Sequence, residues 1–432
     1  MALSLSIIVF AVALVLIIWR PKGWNEAVYV APGALLLLAF GALDFQDAAY
    51  VWDVVWNATL SLVGIMVLTG VMDDNGFFKW AALHLVRGFH RRRLALLVGL
   101  AAFSALVTTF FNNDGTILIM TPIVLETTAL LGMRFRARIA YLLAVGFMAD
   151  TSSATLMVSN LTNILTADFF GISFGEYASR MLFPGLVAVA ATIGMLILLF
   201  RRDIRKDEQA SESCVSFPDP ASVVADGPLF RLSWIVLGLI LALYCVSGPL
   251  GLPVSAIACG GAAALWLAAI ARGKANSARL LRRTPWLIVV FALAMYMIVY
   301  SLHAQGGTDW FSSLIGKLSD GGLTVVVFGS GALFSLLASF INNLPAVLVS
   351  SLAISEHGGG HAGLLPFASL IGMSVGAKLT PIGSLATLLW MQLLRRDGVK
   401  LTIGQYMKYG TLLTVPVLLA TLGALWLQEK IG

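Results

Sequence analysis

Two Asn-Asn pairs, Asn112-Asn113 and Asn342-Asn343, interrupt otherwise apolar stretches of this chain, and an acid, Asp114, follows the first pair. An asparagine amide can donate to and accept from a polar solute, and it also bonds local backbone where a helix is broken. A second pair of polar breaks follows, Ser159-Asn160-Leu161-Thr162-Asn163 and Thr380-Pro381-Ile382-Gly383-Ser384-Leu385-Ala386-Thr387. Pro381 removes a helix donor and Gly383 relaxes the backbone. Aligning Ser159 with Gly383 sets Asn160 opposite Ser384. Ionisable residues in these segments are few: Asp114, Glu126, Asp150 and Lys378. Each costs roughly 2.5–3.5 kcal/mol at mid-bilayer unless paired or hydrated. A carboxylate at that depth can load and unload a proton, and a lysine on one side can neutralise an aspartate on the other. Asn112, Asn113, Asp114, Asn160, Asn342, Asn343, Thr380 and Ser384 are therefore the candidate substrate ligands. Asp114, Asp150 and Lys378 are the candidates for proton coupling. The alternatives are that the asparagines only stabilise the breaks, that Asn160, Thr380 and Ser384 only pack helices, and that Asp150 and Lys378 form a structural ion pair.

The elements that carry these residues come in two copies. Trp56, Gly76, Trp80, Asn112, Asn113 and Glu126 recur as Trp286, Gly306, Trp310, Asn342, Asn343 and Glu356, all at an offset of 230 (342 − 112). A duplicated apolar chain with polar breaks at matching places points to a secondary transporter whose site lies between its halves. The copies differ in charge, because Leu344 stands opposite Asp114.

Composition agrees. Of 432 residues, 59% are hydrophobic and 12% charged, with a mean hydropathy of +0.90. A soluble protein carries about twice that charge. The net charge of +6 comes from cations clustered in loops, which read as topology signals and not as a nucleic-acid surface. Cys214, Cys245 and Cys259 form no CxxC or Cys/His cluster, so neither a disulfide framework nor a metal site is suggested. Nothing calls for a cofactor, and no nucleophile–base constellation suggests an enzyme.

The fold class expected is an all-α polytopic membrane protein. It has two inverted-topology repeats, about ten transmembrane helices and two re-entrant hairpins, with broken helices at the site. The first repeat covers residues 1–200, with a hairpin at 94–131 and a broken helix at 138–165. Residues 201–230, rich in charge, Ser and Pro, read as a cytoplasmic linker. The second repeat covers 231–432, with a hairpin at 322–354 and a broken helix at 364–394. Arg91-Arg92-Arg93 and Arg134, Arg136 and Arg138 flank the first hairpin, so a segment that enters and returns keeps both clusters inside. An odd number of crossings per half inverts the second, with both termini outside. Residues 77–92 and 307–321 resemble helices lying in the membrane interface. At the tips, Asn113-Asp114-Gly115 can begin the second arm of one hairpin, and Asn343 can cap the other ahead of Pro345.

The blocks Phe110-Phe111-Asn112-Asn113-Asp114-Gly115, Thr121-Pro122-Ile123-Val124, Ile341-Asn342-Asn343-Leu344-Pro345 and Lys378-Leu379-Thr380-Pro381-Ile382-Gly383-Ser384-Leu385-Ala386-Thr387 resemble arsenite efflux proteins of the ArsB family. The similarity covers nearly the whole chain. It implies extrusion of arsenite and antimonite across the bacterial inner membrane, by proton exchange or together with an ArsA-type ATPase subunit. It also implies the inverted repeats, hairpins and broken helices of the ion transporter superfamily. Sodium-coupled members of that superfamily carry Ser-Asn-Thr at their hairpin tips, and the Asn-Asn tips here favour protons.

As(OH)3 is neutral near pH 7 and offers hydroxyl donors and acceptors that Asn, Asp, Thr and Ser can match. One proton moving inward through 100 mV supplies roughly 2.3 kcal/mol, enough for about a fiftyfold gradient of a neutral solute. The competing expectations are a sodium/proton antiporter or organic-anion transporter of the same superfamily, and a passive neutral-solute channel.

Overall fold

A computed structural model describes residues 2–209, 217–357 and 361–431; Cys214 lies outside the described residues. Helices account for the ordered secondary structure, and no strand occurs among the described residues. The first half holds α1 (Ala2–Trp19), α2 (Glu26–Ala39), α3 (Phe45–Asp74), α4 (Phe77–Phe89), α5 (Arg93–Phe110), α6 (Asn113–Leu130), α7 (Phe135–Thr151), α8 (Leu161–Phe170) and α9 (Phe174–Gln209). The second holds α10 (Gly227–Leu250), α11 (Val254–Ala271), α12 (Ser277–Arg283), α13 (Leu287–Ala304) and α14 (Asp309–Ser319). There follow α15 (Ser330–Ile341), α16 (Asn343–Ser355), α17 (Leu365–Ser374), α18 (Leu385–Arg396) and α19 (Ile403–Ile431).

Among the described residues, nine helical segments are long and apolar enough to cross a membrane. About ten transmembrane helices were expected, and α2 is shorter than a span: it has 14 residues, and Gly41, at φ +68°, follows its end. The polar stretch 201–230 is also shorter than expected as a linker. α9 runs on to Gln209, burying Ile204 and Asp207 on one face while Arg201, Arg202 and Arg205 stay exposed, and α10 begins at Gly227 behind the Asp226 cap. Residues 217–226 are docked. Asn75 exchanges hydrogen bonds with Asp226, and Arg87 pairs with Asp219 at 3.0 Å.

The offset of 230 reappears as shared backbone work. Gly76 and Gly306 both take left-handed φ, +83° and +77°, at the turns that follow α3 and α13. A Cβ on Gly76 would be driven into the Val223 carbonyl, so glycine is required there. Asn112 and Asn342 both cap the helix that follows them. Contacts between the halves come in exchanged pairs: α3 packs on α11 and α13 on α2, while α6 packs on α18 and α16 on α8.

Ion pairs collect the basic helix ends on one face. Arg283 meets Asp74, Arg138 meets Asp397, Arg272 meets Asp226 and Arg93 meets Asp207. The hairpin α5–α6 opens toward this face, and Arg180 with Glu429 marks the other.

Candidate functional site

Each broken helix is interrupted where its backbone can be satisfied by protein. α7 ends at Thr151 and passes through short 3-10 turns before α8 starts at Leu161 behind the Asn160 cap. α17 gives way to a 3-10 turn, Gly376–Leu379, and α18 starts behind Ser384. At Gly383 the chain crosses so close to the Ala377 carbonyl that a Cβ has no room.

Asp150 is the hub. It is 1% exposed, in the last turn of α7, and it accepts from three side chains. Asn113 Nδ2 donates at 3.2 Å, Ser384 Oγ at 2.9 Å and Thr387 Oγ1 at 3.1 Å. Two half-helices, α6 and α18, thus point their N-terminal ends at one carboxylate, where the positive ends of the helix dipoles favour negative charge. Lys378, equally buried, approaches the same turn of α7. It donates to the Phe147 carbonyl at 2.6 Å and to the Thr151 hydroxyl, and it lies 5.2 Å from the centre of the Phe147 ring. The charges of Lys378 and Asp150 interact through space, but the ammonium is held by the Phe147 carbonyl and the Thr151 hydroxyl in the last turns of α7 and not by a direct ion pair.

Asp114, in the first turn of α6, is half-buried and near enough to Asp150 for their charges to repel. It lines an open cavity of about 400 Å³ that reaches Arg20 and Arg283 on the basic face, and whose other wall includes Leu385, Leu389 and Gln392 of α18. An adjoining pocket of about 340 Å³ shares Met66, Leu118 and Arg283 with it and runs past Thr69 and Gly115 to Asp73 and Asp74.

The other sequence candidates divide. Asn112 accepts from the Gly115 N–H at 2.6 Å, and its Nδ2 is buried without a partner. In the second hairpin the cap is Asn342, not Asn343 as the sequence suggested. Asn342 accepts from Leu344 N and donates to the Ile382 carbonyl at 2.8 Å, while the Asn343 N–H donates to the Gly383 carbonyl at 2.9 Å. These bonds fasten the second hairpin tip to the second break. Thr380 donates to the Ser339 carbonyl, and Asn160 bonds Thr162 N and Ser153 within its own segment. Asn113, Asp114, Asp150, Lys378 and Ser384 are therefore brought together, whereas Asn342, Thr380 and Asn160 are committed to backbone or local bonds. Thr387 was not among the sequence candidates. It lies three residues after Ser384 on the first turn of α18, and that spacing puts both hydroxyls on one face.

Cys245 is exposed, Cys259 sits half-buried with its thiol toward the Leu60 carbonyl, and neither lines the cavity.

An all-helical bundle of apolar spans, with interrupted helices around a buried polar cluster, defines a multi-pass membrane transporter. The family described as arsenical pump membrane protein matches residues 5–428. The chain belongs to that family. It is 42% identical over 425 residues to the arsenical pump membrane protein of Yersinia enterocolitica, covering 98% of each chain. It is 40% identical over 422 residues to the protein of that name from Escherichia coli strain K12, covering 97% of each. Among solved structures it resembles the YdaH transporter of Alcanivorax borkumensis, with a TM-score of 0.56 at 15% identity over 98% of this chain and 99% of that one. MtrF of Neisseria gonorrhoeae, described as one of a class of antimetabolite efflux pumps, gives 0.56 at 13% identity, covering 99% and 94%. At such identities the likeness is one of fold alone.

Proposed function

We propose that this chain extrudes arsenite and antimonite from the cytoplasm as neutral hydroxides in exchange for protons. We further propose that its halves are inverted repeats. The family supports the cargo. The exchanged helix contacts support the inversion, and so does the base of the second hairpin, where Thr324 accepts a hydrogen bond from Trp426 close to the Arg180–Glu429 pair and away from the basic face. With arginines marking the cytoplasm, the cavity is open inward.

The observation that carries the mechanism is Asp114 at the cavity wall, with Asp150 behind it bonded to both halves. Asp114 exchanges its proton with the cytoplasm through the cavity. As(OH)3 enters by the same route and offers its hydroxyls to Asp114 and the amide of Asn113. Reorientation then carries the cargo outward, and a proton taken up outside resets the site. The donors and acceptors are oxygens and amides, which suit a hydroxide and not a thiolate-bound metalloid.

The test is arsenite uptake into everted vesicles under an imposed pH gradient without ATP. Wild type is expected to accumulate arsenite, and Asp114→Asn to fail. Undiminished pumping by Asp114→Asn removes Asp114 from the coupling role, and uptake indifferent to the gradient removes proton exchange.

A further inference from the structure

The cavity is one-sided, and the internal repeat shows where its counterpart lies. On the open side Ile288, in the first turn of α13, faces Leu385, Leu389 and Gln392 of α18. The offset of 230 carries Ile288 to Ala58 of α3. The Asn160–Ser384 alignment (384 − 160 = 224) carries Leu385, Leu389 and Gln392 to Leu161, Leu165 and Asp168 of α8. The two leucines recur as leucines. Their surroundings do not match. Leu385, Leu389 and Ile288 are half-buried at the cavity wall, whereas Leu161 is 6%, Leu165 3% and Ala58 0% exposed. α8 packs along α3, while the cavity separates α18 from the start of α13.

A single amide ties this closed seam. Asn57 Nδ2 donates to both oxygens of Asp168 at 2.9 Å, and Asn57 Oδ1 accepts from Ser255 N at 3.1 Å. Asp168 is the counterpart of Gln392, a cavity-lining residue. Among the described residues no cation pairs with its carboxylate, which is half-buried. An amide–carboxylate bond at a partly wet helix end is weak enough to break and re-form in each cycle, unlike a buried ion pair.

We infer that the α3–α8 seam is the outer gate through which cargo leaves, and that Asn57 and Asp168 are its latch. This rests on the exporter reading above. When the seam parts, the freed carboxylate and amide face the departing hydroxide and replace the bonds it made to the inner site.

The test uses impermeant maleimide on a cysteine-free background and needs no arsenite. In whole cells Leu165→Cys should label slowly, and roughly tenfold faster once Asp168→Ala is added, the change expected for losing bonds to a charged group. Ile288→Cys, labelled in everted vesicles, should slow in parallel. Asp168→Asn, which keeps the side-chain size, should shift both rates the same way. As a second measurement, oxidation of an Asn57→Cys/Asp168→Cys pair should keep Ile288→Cys reactive and stop transport until reduction. Unchanged Leu165→Cys labelling overturns the gate. So does a rise without the fall at Ile288→Cys, which marks local loosening, and so does transport by the oxidised pair. Labelling shifts in a protein that pumps no arsenite would keep the gate and reject the cargo.

Discussion

Ser384 donates a hydrogen bond to Asp150 across 234 residues of chain, at 2.9 Å. The bond joins the start of one half-helix to the end of another, so the two breaks share one charge. Lys378 grips the same turn of α7 through Phe147 and Thr151. The acid and the base are thus held by separate neighbours and balance each other through space.

That arrangement predicts strong coupling between them. Asp150→Ala leaves Lys378 buried without an opposite charge, and Lys378→Ala does the same to Asp150, each costing up to about 3–5 kcal/mol. The double variant removes both charges and should recover much of the thermal stability in detergent, though not transport. Additive losses would show that the two charges do not sense each other.

Gly383→Ala should abolish transport and lower the melting temperature sharply, because the added methyl meets the Ala377 carbonyl. Gly238→Ala, on α10 with open space around it, serves as the control and should leave both measurements unchanged or slightly improved. Equal behaviour of the two variants would mean that the crossing at Gly383 is not tight.

Asn342 has φ +78° and ψ 152°, a region that suits glycine. Asn342→Gly and Asn342→Ala both lose the cap and the bond to Ile382, but only alanine keeps the strain. Thermal unfolding should rank Asn342→Ala below Asn342→Gly by roughly 1–3 kcal/mol. The reverse order would contradict the backbone described here.

A Cys214→Ser/Cys245→Ser/Cys259→Ser variant should transport arsenite at close to the wild-type rate, measured in the same vesicles. Complete loss would restore a thiolate site.

Much of this was legible because repetition copies backbone tasks. Gly76 and Gly306 recur since both turns need left-handed φ, and Asn112 and Asn342 recur since both start a half-helix. Spacing did not tell which of two adjacent asparagines turns inward; that depends on how the chain enters the helix, and Asn342 took the place expected of Asn343. A direct Asp150–Lys378 ion pair was a sequence alternative, but the Phe147 carbonyl near the end of α7 offers the ammonium an acceptor that no side-chain pattern reveals. Thr387, quoted at the end of the second break, was not singled out as a site residue because one threonine on an apolar helix carries no signal until its partner is known. The polar stretch after residue 200 looked unstructured by composition, yet Ile204 and Asp207 lie on the inner face of α9 and extend the helix.

The crossed packing of α2 on α13 and α11 on α3 has a consequence for ancestry. A lone half would leave those surfaces bare and could cover them only by meeting another half. Fusion into one chain makes that encounter intramolecular, so the assembly no longer weakens when expression is low. It also allows the two copies to diverge, and Leu344 opposite Asp114 records that freedom.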